Sequence, residues 1–186
     1  YQPALASGDA AWWKSPAARS IITPARYADR LVPVLQSLGL KILIEPGRFI
    51  TGNAGVLVTR VEYVKKTGRK NFVIVDAAMN DLIRPAFYDS FHEIVPLRKQ
   101  PGRAVVSTDV VGPICETGDF LGFARDLAID EGDLLALLSA GAYGMSMASN
   151  YNSRPRAAEV LVDKNEIHLI RERETQVRMM AGERLV

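Results

Sequence analysis

A single cysteine, Cys115, stands among the 186 residues, and histidine occurs only twice, at His92 and His168. One thiol cannot close a disulfide within the chain, so no disulfide framework holds this fold. Each histidine lacks a second ligand at metal-binding spacing; structural roles are expected for both, and no metal is expected. No apolar run approaches the roughly 20 residues that span a bilayer. The first residues also lack the basic, apolar and small-residue order of a signal peptide. No membrane association and a cytoplasmic location are therefore expected. Charge of one sign is not in excess either: 23 Lys and Arg against 21 Asp and Glu leave a formal net charge of +2, which gives no reason to expect nucleic acid as a partner. The nucleophile elbow, the phosphate-binding P-loop and the Gly-rich dinucleotide fingerprint are also missing.

What is present is a globular composition, 48% hydrophobic and 24% charged, enough for one core or for one domain and part of another. The stretch from Tyr1 to Ser20 has neither helical period nor strand alternation and reads as a loop. Thr23 is then a suitable N-cap and Pro24 a suitable first helical residue. Tyr27, Leu31, Val34, Leu35 and Leu38 follow at helical spacing before Gly39. The wholly apolar Leu40 to Ile44, bounded by Glu45, Pro46 and Gly47, reads as a strand buried on both faces. Helix followed by buried strand is the grammar of a parallel α/β sheet or barrel, whose ligands bind at the carboxyl ends of strands.

Beyond Gly52 the pattern turns to strand: Val56 to Lys65, Asn71 to Asp76, His92 to Leu97, Thr108 to Gly112, Asp133 to Ser139, Glu159 to Val162 and Ile167 to Arg171. Lys66-Thr67-Gly68-Arg69 and Asp163-Lys164-Asn165 read as hairpin turns. Short helices are expected at Asp81 to Tyr88, around Ser146 to Tyr151, and from Thr175 to Gly182. Two domains result, 1–50 and 51–186, the second mainly β.

Four short motifs could carry chemistry. Glu45-Pro46-Gly47-Arg48 offers a carboxylate, an unobstructed backbone and a guanidinium, which suits a cationic ring nitrogen and a phosphate; it could equally be a β-turn with a surface ion pair. Arg84 and Tyr88, four residues apart, share one helix face if Asp81 caps the helix, and could clamp a carboxylate; a surface bridge from an ordinary helix is the alternative. Cys115 sits beside Glu116 and close to Asp119, and negative neighbours favour proton donation over nucleophilic attack. The alternative there is a buried loop cysteine, core filler, with both carboxylates solvated. Tyr143, among the small residues of Ser139 to Gly144, could reach toward a ligand or pack in a tight turn.

The order and wording of LIEPGRF, VDAAMNDLIRPAFY, DVVGPICETGDF and LLSAGAYGMSMASNYNSRPRAAEVLV resemble the diaminopimelate decarboxylase family, from about Thr23 nearly to the C-terminus. NDLIRPAFY and NYNSRPR favour this branch over the ornithine and arginine branches of the barrel-type pyridoxal-phosphate decarboxylases. The resemblance implies the last strand and helix of a TIM-like (α/β)₈ barrel, followed by an antiparallel β-sandwich or barrel-like domain, with the remaining barrel before Tyr1. It implies conversion of meso-2,6-diaminopimelate to L-lysine and CO2, the last step of lysine biosynthesis, with pyridoxal 5'-phosphate as cofactor. Glu45, Pro46, Gly47, Arg48 and Tyr143 would then bind the cofactor. Arg48, Arg84, Tyr88, Glu116 and Tyr143 would bind substrate, and Cys115 would return a proton to the carbon that has lost CO2. The Cys-Glu loop of the family reaches the opposite subunit's site, which implies a homodimer with shared active sites.

The family's Schiff-base lysine has no counterpart here, because none of Lys14, Lys41, Lys65, Lys66, Lys70, Lys99 or Lys164 stands in its motif. The family's glycine-rich phosphate loop is missing too. Thr117 replaces a more usual serine, and Trp12 and Trp13 fall in a variable loop. The chain alone is therefore expected to be inactive, with exposed apolar surface on its first 50 residues, or association or rearrangement there. A non-catalytic remnant or dimerisation module of the same family is the competing reading, and the joint presence of Arg84, Cys115, Glu116 and Tyr143 argues against it.

Overall fold

The computed structural model describes residues 22–184; the expected opening loop, with Lys14, Trp12 and Trp13, lies outside the described residues. The chain divides into two compact units, one ending at Gly47 and the other running from Arg48 onward.

In the first unit, α1 (Pro24–Gln36) starts as the sequence indicates. The Thr23 hydroxyl accepts a hydrogen bond from the Arg26 amide, Pro24 takes the first turn, and Ser37 closes the end. Gly39 follows with φ of +63°, the left-handed backbone that favours glycine. None of the helix's residues is buried. The expected buried strand Leu40 to Ile44 is corrected: the segment pairs with no strand among the described residues, and Leu43 and Ile44 are exposed. An apolar run becomes a strand only when a neighbour receives its amides and carbonyls.

The second unit is built on a six-stranded sheet of order β3-β6-β1-β2-β4-β5. Its strands are β1 (Leu57–Lys66), β2 (Asn71–Val75), β3 (Ile94–Pro96), β4 (Val106–Val111), β5 (Phe120–Leu127) and β6 (Leu134–Leu137). The β1–β2 hairpin turns where expected, with the Thr67 hydroxyl accepting from the Lys70 amide at 2.9 Å. The pairing is largely antiparallel, as expected, except that β2 and β4 run parallel, with Val73 beside Val110. The excursion between them carries α3 (Arg84–Tyr88) and β3. β5, not anticipated from the sequence, pairs antiparallel with β4 through two irregularities. The edge strands β3 and β5 approach each other; a methyl on Gly122 of β5 would lie 3.0 Å from Ile94 of β3. The sheet thus curls almost into a barrel. Val61, Val73, Val75, Leu82, Ile94, Val110, Leu121, Leu135 and Leu137 fill it as one core.

A separate two-stranded hairpin follows, β7 (Glu159–Asp163) and β8 (Glu166–Arg171). Lys164 takes the left-handed conformation in its turn. Thr175 caps the final helix, α4 (Gln176–Met179). Of the other expected helices, 81–88 shortens to α3 and 146–151 becomes two 3-10 turns, Met145–Met147 and Tyr151–Ser153.

Candidate active site

Glu45 and Pro46 lie in an irregular, exposed stretch. Gly47 opens the single-turn α2 (Gly47–Thr51), in which Arg48 is exposed. The remaining candidates all sit in the second unit.

Arg84 begins α3, but not because Asp81 caps it. Ile83 occupies the N-cap, and the Asp81 carboxylate accepts from the Ala78 amide at 3.0 Å, closing the preceding turn. The helix still sets Arg84 and Tyr88 together. The guanidinium lies 5.6 Å from the Tyr88 ring centre and 5.0 Å from that of Tyr143, so two aromatic rings flank one cation. Tyr143 reaches it from a turn in which its own φ is +62°. That turn is pinned to the chain after α2: the Ala140 amide donates to Gly55 at 2.9 Å, the Gly141 amide to Gly52 at 3.1 Å, and the Ser139 hydroxyl to Asn53 at 2.7 Å. A side chain on Gly141 would collide with the Thr51 carbonyl, so only glycine allows the crossing.

Arg84 has no carboxylate partner among the described residues. One terminal nitrogen donates to the Ser90 hydroxyl at 3.1 Å, and the buried Nε has no partner among the described residues. Close by is His92, fully buried, whose Nδ1 lies 2.9 Å from the Leu138 carbonyl. A carbonyl only accepts, so Nδ1 carries the proton and Nε2, without a partner among the described residues, is a bare acceptor. Burial first, and then the Arg84, Arg48 and Arg125 charges, push this imidazole below its ordinary pKa, against the hydrogen bond to Leu138. His92 was expected only to fill a strand.

Cys115 and Glu116 occupy the loop between β4 and β5. The thiol is free and exposed, which removes the core-filler reading. Asp119 reverses its expected solvation. It is buried, and its two oxygens accept from the Met79 and Ile114 amides, each at 2.7 Å. Burial outweighs those bonds and raises its pKa. Gly112 makes room for it, because a side chain there would overlap the Asp119 carboxylate.

Sequence reasoning also missed the links among loops. The Arg154 Nε donates to Asn80 Oδ1 at 3.0 Å, and its terminal nitrogen donates to the Asp76 carbonyl. Asn80 and Ser149 are further joined by the Ser149 amide to the Asn80 carbonyl at 2.9 Å and by Asn80 Nδ2 to the Ser149 carbonyl at 3.3 Å. The Tyr151 hydroxyl donates to Glu116. Glu174 receives the Arg156 amide and guanidinium and the Asn150 amide group, which hold its pKa down at about 2. The one available signal was the polar wording of NDLIR and NYNSRPR, whose side chains meet here.

The donor set fits part of a pyridoxal-phosphate site: cations at Arg48 and Arg84, and an aromatic ring at Tyr143 held by its turn. No lysine is among these residues. Residues 9–141 match the family described as "Pyridoxal-dependent decarboxylase, C-terminal sheet domain". Diaminopimelate decarboxylase from Neisseria meningitidis serogroup A is 58% identical over 157 residues, covering 84% of this chain and 38% of the relative. The crystal structure of the M. jannaschii diaminopimelate decarboxylase superposes with a TM-score of 0.82 at 34% identity, over 92% of this chain and 41% of that one. The Helicobacter pylori diaminopimelate decarboxylase complexed with L-lysine gives 0.77 at 41% identity, over 86% and 39%. The chain thus spans about 38% of the length of the first of these.

Proposed function

The chain belongs to the pyridoxal-dependent decarboxylases, whose C-terminal sheet domain it carries, and from that premise we propose that it is the C-terminal part of a cytoplasmic diaminopimelate decarboxylase. The reaction is removal of CO2 from meso-2,6-diaminopimelate to leave L-lysine. The observation that carries this reading is Arg84: a cation flanked by Tyr88 and Tyr143, with no carboxylate partner among the described residues. Such a fork, already oriented, suits the carboxylate at the unreacting end of the substrate.

Pyridoxal phosphate, when bound, supplies the electron sink that makes loss of CO2 possible. Glu45, Pro46, Gly47, Arg48 and Tyr143 hold it in this reading, with Glu45 at the ring nitrogen and Gly47 and Arg48 at the phosphate. Arg48 also faces the substrate. Tyr88 and Tyr143 flank Arg84 and hold its guanidinium in place for the distal carboxylate. Glu116 accepts the distal ammonium. Cys115, exposed at the tip of its loop, delivers a proton to the carbon that has lost CO2. It does so in the site of a second subunit, so a homodimer with shared sites is part of the proposal. The lysine that anchors the cofactor is supplied from outside this sequence, and the chain alone is inactive.

Arg84→Met in the native polypeptide tests the reading. Loss of a charge-assisted bidentate contact costs about 2 kcal/mol or more, so kcat/KM for meso-diaminopimelate should fall by at least about 30-fold. Turnover within about threefold of the unsubstituted protein would contradict the assignment.

A further inference from the structure

We propose that Tyr151 is a positioning residue that sets the carboxylate of Glu116 and thereby the selection for a second ammonium group on the substrate; the inference rests on the function proposed above. Three loops converge beside the curled sheet: 77–83, 112–119 and 149–154. Two of their three junctions are held by buried groups. Asp119 joins the second loop to the first through the Met79 amide. Asn80, also buried, joins the first to the third through Arg154 and Ser149. These ties already fix the backbones. The third junction is different in kind: the Tyr151 hydroxyl donates to Glu116 Oε1 across 35 positions of sequence, in the open, with Tyr151 45% exposed. A bond that the loops do not need for their own placement, and that ends on the carboxylate assigned to the substrate, orients that carboxylate.

The turn presenting Tyr151 is strained in a way that an ordinary surface turn is not. Asn152 and Ser153 both take positive φ, +60° and +54°, conformations that persist only where surrounding contacts over-determine them. Those contacts are present on each side of the turn. Asn150 Nδ2 donates to the Arg154 carbonyl at 3.0 Å and also to Glu174, while the Arg154 guanidinium is fixed on Asn80 and Asp76. Hydrogen bonding to Glu116 raises the Tyr151 pKa, so the phenol keeps its proton and stays a donor through the neutral range. One Glu116 oxygen is thus occupied by Tyr151, and the other is turned to receive an ammonium.

The test is Tyr151→Phe in the native, cofactor-loaded polypeptide, assayed with meso-diaminopimelate and with D-2-aminopimelate, which lacks the distal amine. Removing a hydrogen bond to a charged group should raise KM for meso-diaminopimelate about tenfold with kcat nearly unchanged. Equilibrium binding of L-lysine should weaken by about the same factor. Turnover of D-2-aminopimelate should not change, and the thermal midpoint should stay put. In a Glu116→Ala background the Tyr151 change should have no further effect. Equal losses on both substrates would show a merely structural role and overturn the inference. So would unchanged KM and unchanged L-lysine binding. If the unsubstituted protein fails to turn over meso-diaminopimelate, the functional reading falls and this inference with it. If it is active and the variant matches it, the inference alone falls.

Discussion

Leu135 and Leu137 in β6 are wholly buried, whereas Leu43 and Ile167, side chains of the same chemistry, are 81% and 75% exposed. Both kinds of segment carry residues with high strand preference, yet only one is enclosed. β6 lies between β1 and β3 with its ladder complete on both sides. Residues 40–44 have no ladder among the described residues, and β7–β8 has only itself, a pairing that leaves apolar side chains on both faces in water. Preference sets the local conformation, while burial requires neighbours. The curled sheet therefore holds its own core, and the hairpin and the described residues of the first unit, none of them buried, add little to it.

The largest effect on this contrast is expected in β6. Leu135→Ala should cost about 2–5 kcal/mol of unfolding free energy by lost burial and cavity formation. Denaturant titration of the chain would measure it; a loss below about 1 kcal/mol would mean the sheet core is not the source of stability. An intermediate effect is expected at His92. Its folded pKa is depressed below the ordinary 6.5, so the unfolded chain binds the proton more readily. Its contribution is complete above 6.5 and is lost as pH falls below it, at up to about 1.4 kcal/mol per pH unit. His92→Asn, which keeps a donor for Leu138, should flatten that loss between pH 7 and 5. The difference between the two proteins isolates the imidazole from Asp81, Glu93 and Asp119. Burial raises those carboxyl pKa values, and they work in the opposite sense, costing stability as pH rises. Glu174, held at about 2, loses its contribution only as pH falls from 4.5 through that value. The smallest change belongs to the hairpin: Ile167→Thr should stay within about 0.5 kcal/mol, and a larger loss would show that β8 is more enclosed than its exposure indicates.

Much of the sheet was legible because β1 and β2 are rich in β-branched and aromatic residues and Lys66-Thr67-Gly68-Arg69 signals the turn between them. β5 was not. Gly122, and Ala124 at φ of +49°, interrupt its alternation where the ladder to β4 is irregular, and a period-2 pattern read from sequence is lost at such points. The parallel β2–β4 pair depends on contacts between segments that do not adjoin in the chain, which no local pattern reports. At the site, Arg84, Tyr88 and Tyr143 were legible as types and do meet. His92 was missed as a site neighbour because a lone histidine in a strand has no spacing to read. Asp119 and Arg154 were missed because their partners, Met79 and Asn80, lie 40 and 74 positions away.

The proposed function, in which this sheet domain reads both ends of meso-diaminopimelate, requires action on that substrate in preference to the shorter or singly charged amino acids. The native polypeptide, supplied with pyridoxal phosphate and meso-diaminopimelate, should release CO2 and form L-lysine in equal amounts, the product identified by chiral separation. Absence of CO2 release from meso-diaminopimelate, with release from ornithine or arginine instead, would contradict it.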